Sequence, residues 1–197
     1  MVKRIKRGDL PADTVALARA LIGKILTHKT GDGIASGRIV ETEAYIVGDA
    51  SSHAFRGRTK RNGSMFLERG HAYVYRIYGT WFCINVASES AGIGTAVLLR
   101  ALQPIDGVAL MQRRRGVSTL LDLARGPGRL AQALAIDLSH DGVDLCTSRS
   151  LWLGVSETAA ISLGESIRIG ITKDADRVLR FYERGNDFVS GPKRMKV

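Results

Sequence analysis

The chain has 197 residues, of which 45% are hydrophobic, and 29 Lys and Arg residues against 19 acidic residues give it a net charge of +10. This length is sufficient for one domain with a buried core, and the composition excludes a disordered chain. No apolar run is long enough to span a membrane and no signal-peptide pattern occurs, so we expect no membrane association, no secretion and a cytoplasmic location.

The excess of positive charge indicates a polyanionic partner, most simply a nucleic acid. A basic protein that is merely soluble is the alternative, but the charges are clustered. The clusters are 3–7, 56–61 and 113–115. We expect residues 1–8 to form a basic leader that is poorly ordered until it meets a partner, and residues 9–197 to form a single domain.

The two cysteines, Cys83 and Cys146, lie far apart in the sequence. They do not form a disulfide framework, and with four histidines they show no zinc-binding spacing. The sequence therefore predicts reduced thiols, no metal site and no cofactor.

The first third of the chain reads as one helix followed by strands. Apolar residues at helical spacing predict a helix over residues 11–22, ended by Gly23. A short strand follows at 25–26, and a glycine-rich turn at 31–33 leads into a strand over 38–45.

The strand over residues 38–45 carries two carboxylates. Side chains alternate between the two faces of a strand. One face therefore carries Glu41, Glu43 and Tyr45. The other carries Val40, Thr42 and Ala44. Buried carboxylates are costly unless they are paired or take part in chemistry. An edge strand whose glutamate face meets water is the alternative.

Residues 48–70 form a long polar loop, and a loop of this length in a compact domain is usually functional. It contains His53 and Met65, and its arginines suit phosphate contact; these are Arg56, Arg58 and Arg61. A solvated surface loop is the alternative.

Strands over 71–78 and 81–88 predict a hairpin rich in aromatic residues. Tyr73 and Tyr75 share one face, whereas Tyr78 has the opposite parity and lies at the rim, beside a glycine. Asn85 is a polar residue inside an apolar strand, so it needs hydrogen-bond partners, and its role is either structural or ligand-contacting.

A buried strand over 96–102 is interrupted by Arg100, for which Glu41 and Glu43 are the candidate partners. A helix is predicted over 105–115. The next helix begins at Gly126–Gly128, and its N-terminus, flanked by Arg125 and Arg129, is either a candidate phosphate site or an ordinary capped helix.

The last third predicts short strands at 151–153, 167–171 and 178–182. The chain shows no repeat, linker or break in composition, which indicates one domain.

These motifs together closely resemble the alkyladenine (3-methyladenine) DNA glycosylases, in order and approximate spacing over about residues 10–190. The motifs are Glu-Thr-Glu-Ala-Tyr, His53, Arg61-Asn62, Met65-Phe66, Tyr-Val-Tyr-Arg-Ile-Tyr-Gly, Asn85, Leu-Leu-Arg100 and Arg125-Gly-Pro. The resemblance implies a monomeric, metal-free repair enzyme of α+β class, with a curved, mostly antiparallel sheet and flanking helices. Its partner would be double-stranded DNA containing damaged purines.

The resemblance also implies roles for matching residues. Glu43 corresponds to the general base that activates water, and Arg100 to the arginine that helps hold this water. The walls of the pocket for the flipped base would be Tyr45, His53 and Tyr75.

Three further positions match the family. Asn85 resembles the residue that crowds the 2-amino group of guanine, Tyr78 resembles the side chain that enters the duplex, and Met65 resembles a neighbour of this wedge. The loop departs from the family because it lacks a proline between Asp49 and His53, which leaves substrate preference open.

The chemistry is consistent with these roles. Cleaving a base from its sugar develops positive charge on the sugar, and one carboxylate can stabilise this charge and deprotonate water. No lysine lies in a motif that would form a Schiff base, so we expect a monofunctional glycosylase. The alternative is a non-catalytic or RNA-directed binding domain, although such a domain has no reason to hold Glu43 next to a polyanion.

Overall fold

The computed structural model describes residues 3–155 and 160–191, and within these ranges nine strands form one antiparallel sheet. The strands are β1 (Lys3–Arg4), β2 (Ile25–Thr30), β3 (Gly33–Tyr45), β4 (Ala72–Ile77), β5 (Trp81–Ala87), β6 (Ala96–Asp106), β7 (Leu151–Val155), β8 (Leu163–Ser166) and β9 (Arg180–Glu183). The α-helices are α1 (Thr14–Leu21), α2 (Val108–Arg115) and α3 (Pro127–Ala133). This arrangement confirms the predicted α+β class, in which helices flank a mostly antiparallel sheet.

Strand β3 lies in the interior of the sheet, whose order is β1-β7-β2-β3-β6-β5-β4. It pairs with β6 on one side, and on the other side it pairs first with β2 and then, over Glu41–Glu43, with β9. Both glutamates have no exposed surface. The alternative of an edge strand with a wet glutamate face is therefore wrong.

The helices cover the opposite face of the sheet and form the main core with it. Helix α1 begins at Thr14 because the Asp13 side chain accepts a hydrogen bond from the Ala16 N–H at 2.7 Å, which makes Asp13 the N-cap. The helix buries Leu17 and Leu21 completely, and each such side chain contributes about 1.5–3 kcal/mol. The Thr42 hydroxyl donates to the Ala18 carbonyl at 2.9 Å and ties β3 to this helix.

Two β-bulges set which side chains of β3 and β6 face the site. Pairing passes from Ile39 with Leu102 to Glu41 with Ala101, so Val40 is an extra residue in β3. It then passes to Thr42 with Leu99, so Arg100 is an extra residue in β6.

The Val40 bulge changes one predicted grouping. Ile39 and Ala44 belong to the main core, whereas Val40 packs against Tyr182 and Val189. Glu41, Glu43 and Tyr45 share one face, as predicted. The predicted placement of Val40 on the face of Thr42 and Ala44 is wrong, because simple alternation along the sequence takes no account of an inserted residue.

The N-terminal residues are not a poorly ordered leader where the structure describes them. Strand β1 pairs with β7, and a short 3₁₀ helix follows at Arg7–Asp9. The Arg7 guanidinium donates to Asp144 at 2.6 Å, and Arg4 lies 4.6 Å from the ring centroid of Trp152. These basic residues therefore contact the protein itself.

Other segment boundaries also differ from the sequence predictions, and β3 begins at Gly33 and not at residue 38. The helix predicted from residue 105 begins at Val108 because Gly107, at φ 71°, adopts the left-handed conformation before it. The strand predicted over 167–171 is irregular, and a strand lies at Leu163–Ser166 instead. The final strand begins two residues later than expected, at Arg180.

Within the described ranges, no helix has the length and apolar character needed to cross a bilayer.

Candidate active site

A cavity of about 380 Å³ opens where β3, β4, β5 and β6 meet the 48–70 loop and the 167–171 segment. This volume lies within the roughly 300–1,000 Å³ that is usual for small-molecule sites. Seven residues predicted from the sequence line it, and these are Tyr45, His53, Met65, Tyr75, Tyr78, Asn85 and Arg100.

Glu43 lies directly behind the wall of this cavity. One carboxylate oxygen accepts a hydrogen bond from the Ile169 N–H at 2.8 Å, and the other accepts from the Tyr45 hydroxyl at 3.0 Å. Arg100 Nη1 lies 3.2 Å from the first oxygen. All three neighbours line the cavity, so a single layer of groups separates the carboxylate from the space. Burial raises the pKa of Glu43, although these three groups favour the ionised form.

Glu41 has a different environment. It accepts hydrogen bonds from Arg100 Nε at 3.0 Å, from Arg180 Nε at 2.7 Å and from the Ser190 N–H at 2.7 Å. Burial alone would raise the pKa of Glu41, but the two guanidinium charges and these hydrogen bonds outweigh it, so the pKa lies below its ordinary value. Glu41 thus anchors basic side chains, as expected, and Arg100 pairs with both candidate carboxylates.

Sequence reasoning missed Arg180, which has no exposed surface and also donates to Ser166 at 2.8 Å. A signal was available, because Arg180 stands beside Leu179 and Phe181 in an apolar run, just as Arg100 interrupts its own strand.

Aromatic side chains form one wall of the cavity. Tyr73 and Tyr75 stack with their centroids 5.3 Å apart, and the His53 ring meets Tyr75 edge-on at 4.5 Å. His53 Nδ1 lies 2.8 Å from the Tyr73 hydroxyl. Burial, together with the nearby Arg61 charge, lowers the pKa of His53, which favours the neutral imidazole. Tyr73 is a further pocket residue that the shared face with Tyr75 already indicated.

Tyr45 also contacts a guanidinium that the sequence did not reveal. Arg168 lies 4.8 Å from the Tyr45 ring centroid and forms a fully buried ion pair with Asp49. The segment predicted as a strand over 167–171 instead folds over the site, so that Ile169 reaches Glu43.

Asn85 is 4% exposed and lies on β5, opposite Tyr73 on β4. Its amide nitrogen donates to the Tyr73 carbonyl at 3.0 Å. This bond fixes the amide against the neighbouring strand while the side chain lines the cavity. The structure therefore gives Asn85 a structural hydrogen-bond partner and a position in the cavity wall, and its contact with a ligand stays a prediction.

Tyr78 stands at the tip of the β4–β5 hairpin and is 92% exposed. Its backbone adopts φ 45°, a conformation that is uncommon for a bulky residue, and Gly79 follows at φ 76°. Met65 is only 2% exposed and packs with Tyr73 and Ala96. Met65 thus lies buried in the cavity wall and not on the exposed rim with Tyr78, and its role beside a wedge stays a prediction.

Arg56, Arg58, Lys60 and Arg61 of the 48–70 loop are exposed, whereas Arg69 is half-buried and pairs with Glu68. Arg61 lies 6.0 Å from the Tyr75 ring centroid, and Arg58 lies 5.9 Å from that of Phe66. Arg56 forms no ion pair with any residue of the described ranges. Arg61 therefore lies beside a residue of the cavity wall, and phosphate contact by these arginines stays a prediction.

Two arginines of the basic cluster at 113–115 form hydrogen bonds and an ion pair within the fold. Arg114 donates to Asp32 at 2.9 Å and to the Ala133 carbonyl at 3.1 Å. Arg115 donates to the Leu123 carbonyl at 3.1 Å, and burial and the Arg129 charge lower its pKa.

The two arginines that flank the start of α3 also interact within the protein. Arg129 pairs with Asp122 at 2.9 Å, and Arg125 bridges to Ala101 through the backbone. In the described part of the chain, no three side chains of histidine, cysteine, aspartate or glutamate gather as a metal site.

Comparison with known proteins agrees with this geometry. A family model described as methylpurine-DNA glycosylase (MPG) matches residues 9–187. Three relatives carry the name "Putative 3-methyladenine DNA glycosylase". The relative from Mesorhizobium japonicum is 60% identical over 98% of this chain and 92% of its own length. The relative from Paraburkholderia phytofirmans is 50% identical over 97% and 90%. The relative from Methanoculleus marisnigri is 47% identical over 90% and 94%. The chain therefore belongs to the methylpurine-DNA glycosylase family.

Proposed function

We propose that this protein is a monofunctional DNA N-glycosylase that flips a damaged purine out of duplex DNA and hydrolyses its glycosidic bond. Its substrates are alkylated or deaminated purines of the 3-methyladenine, hypoxanthine and ethenoadenine class. It acts in the cytoplasm as a monomer, without metal or cofactor, and leaves an abasic site.

The observation that carries the proposal is the position of Glu43, a carboxylate directly behind the wall of a base-sized cavity. In the reaction Glu43 takes a proton from water, and the water oxygen attacks C1′ of the sugar. The C1′–N bond breaks, and its electron pair leaves with the base. The negative charge of Glu43 also stabilises the positive charge that develops on the sugar. The raised pKa of Glu43 makes it a stronger proton acceptor once it is ionised.

The surroundings of the cavity fit a flipped base. Extrusion from the stack costs a few kcal/mol, and stacking on Tyr45 and Tyr75 recovers about 1–3 kcal/mol per base. The exposed ring of Tyr78 can fill the gap left in the duplex. The exposed arginines Arg56, Arg58 and Arg61 can neutralise phosphates of the bound duplex.

The test compares wild type with Glu43→Gln on duplexes that each carry one lesion. Excision is followed under single-turnover conditions, with alkali used to reveal strand breaks at abasic sites. We expect the variant to lose excision and to keep its affinity for lesion DNA, measured by fluorescence anisotropy. EDTA should not change the wild-type rate.

The matched control is Glu165→Gln, which removes a partly exposed carboxylate paired with Arg19. It should excise at the wild-type rate. If Glu43→Gln also excised at that rate, Glu43 would not be the base. If wild type bound nucleic acid but cleaved no lesion, the chain would instead be a non-catalytic or RNA-directed binding domain on the same scaffold.

A further inference from the structure

A buried ion pair outside the cavity joins two distant segments of the chain. Arg168 and Asp49 have side chains with no exposed surface. Arg168 Nη2 donates to Asp49 Oδ1 at 3.1 Å, and Nη1 contacts the second carboxylate oxygen. Neither residue lines the cavity.

The same guanidinium holds the wall of the cavity. Its central carbon lies 4.8 Å from the Tyr45 ring centroid, which is a cation–π contact with a residue of the cavity wall. Nη1 also donates to the Ala44 carbonyl at 3.1 Å, and Nη2 donates to the Asp174 carbonyl at 3.2 Å. One side chain therefore fixes Tyr45, the backbone beside it and the segment that closes over the site.

The residue after Arg168 contacts Glu43, the proposed general base. The Ile169 N–H donates to Glu43 at 2.8 Å. Its nitrogen belongs to the peptide that begins at Arg168, so the anchoring of Arg168 fixes where this donor points.

We propose that Arg168, held by Asp49, is a positioning residue for excision. It keeps the Tyr45 ring in place for stacking and holds the Ile169 N–H on the Glu43 carboxylate. This inference rests on the proposed function of Glu43.

A stabilising role alone does not explain the pair. Replacing a buried ion pair by well-packed apolar residues is often neutral or stabilising, because both charges lose their hydration. What a guanidinium supplies is a rigid fork of donors in one plane, which lysine or an apolar side chain cannot reproduce. Its contacts here use that fork to join Asp49, Ala44 and Asp174.

The inference predicts a change in pH dependence. The Ile169 N–H stabilises the ionised form of Glu43, so misplacing it should raise the pKa of Glu43 further. The acidic limb of the rate profile should then move to higher pH. The other groups near Glu43 are Glu41, Tyr45, Cys83 and Arg100, with Arg180 opposite it in the pairing of β3 with β9. Of these only Tyr45 contacts Arg168, and a displaced Tyr45 hydroxyl would also raise the pKa of Glu43, so both effects move the acidic limb in the same direction.

Two variants test the inference. Arg168→Lys keeps the charge and loses the fork. The double variant Asp49→Asn with Arg168→Met removes both charges, so that no unpaired charge stays buried. Each is compared with wild type in single-turnover excision of hypoxanthine across acidic to neutral pH, at a temperature where circular dichroism shows that it is folded. The control is Arg38→Met with Glu183→Gln. It removes a different ion pair, in which Arg38 of β3 lies 2.8 Å from Glu183.

We expect both test variants to excise about tenfold to a hundredfold more slowly, with the acidic limb shifted to higher pH. The control should match wild type in rate and profile. If the test variants melt at lower temperature but keep the wild-type rate and limb, the pair is structural and the inference is wrong. If neither variant folds at any temperature, the pair serves folding, which also overturns it. Failure of wild type to excise any lesion would instead contradict the proposed function.

Discussion

The phenolic hydroxyl of Tyr45 donates a hydrogen bond to Oε2 of Glu43 at 3.0 Å. The two residues are two positions apart on β3, so their side chains lie on the same face. One bond thus joins a wall of the cavity to the carboxylate behind it. Burial and the adjacent charge of Glu43 raise the pKa of Tyr45, so the phenol stays protonated and remains a donor.

Tyr45→Phe should separate stacking from this hydrogen bond. The ring stays in place, so affinity for lesion DNA should change little. Glu43 loses a donor that favours its ionised form, so its pKa should rise and the acidic limb of the rate profile should move to higher pH. The loss at acidic pH should be about tenfold, in line with a hydrogen bond to a charged group. Single-turnover rates over pH measure this, and an unchanged profile would refute the coupling.

Glu41→Gln should mainly lower stability. It leaves Arg100 and Arg180 buried without their shared carboxylate, which costs about 3–5 kcal/mol of unfolding free energy. The pKa of Glu41 is lowered in the folded protein, so its contribution is present above the unfolded pKa and is lost as pH falls through the folded pKa. Urea denaturation should therefore show a difference from wild type that narrows towards acidic pH. A difference that stays constant down to strongly acidic pH would contradict this assignment.

Asn85→Ser and Asn85→Ala should change which purines are excised. The amide is fixed by its bond to the Tyr73 carbonyl, so it cannot turn away from a base that carries a 2-amino group. Such exclusion matters because undamaged guanine vastly outnumbers lesions. We expect guanine-type excision to rise relative to hypoxanthine by about fivefold to 150-fold, because leaving a donor unpaired costs about 1–3 kcal/mol. The measurement is the ratio of single-turnover rates on both bases in the same mispaired context. An unchanged ratio would make Asn85 purely structural.

DNA binding should depend strongly on salt, and the 48–70 loop should carry this dependence. Replacing Arg56, Arg58 or Arg61 by glutamine should reduce the slope of log affinity against log salt by about 0.9 for each phosphate that the arginine neutralises in wild type. Arg114→Gln should leave the slope almost unchanged, because that guanidinium already pairs with Asp32. Equal slopes for the loop variants and wild type would place the phosphate contacts elsewhere.

Local patterns in the sequence predicted much of the site, because strand alternation fixes which neighbouring side chains share a face. Glu41, Glu43 and Tyr45 share one, and Tyr73 stacks on Tyr75. Charge counting was less informative, because it does not distinguish an arginine that meets solvent from one that pairs within the fold. Arg114 and Arg115 are of the second kind.

The interactions that the sequence did not predict join residues that are far apart in the chain. Arg168 binds Asp49, which lies 119 positions away in the chain, and Arg180 binds Glu41, which lies 139 positions away. The run Ile-Arg-Ile-Gly-Ile over 167–171 alternates like a strand, yet Gly170 adopts φ 79° and the segment bends over the cavity. No local pattern specifies which distant carboxylate will neutralise a buried arginine.

The bulges at Val40 and Arg100 shift the register of the two strands by one residue each, in opposite directions. Each inserts one residue on opposite strands, so the pairing before them, Ile39 with Leu102, and after them, Thr42 with Leu99, share the same alignment. Deleting Val40 alone would put the two strands out of phase, and the strand face that carries Glu43 would have to turn towards the helices or the pairing would have to slip. The two extra residues thus offset each other, and the alignment of β3 with β6 on both sides of them depends on keeping both.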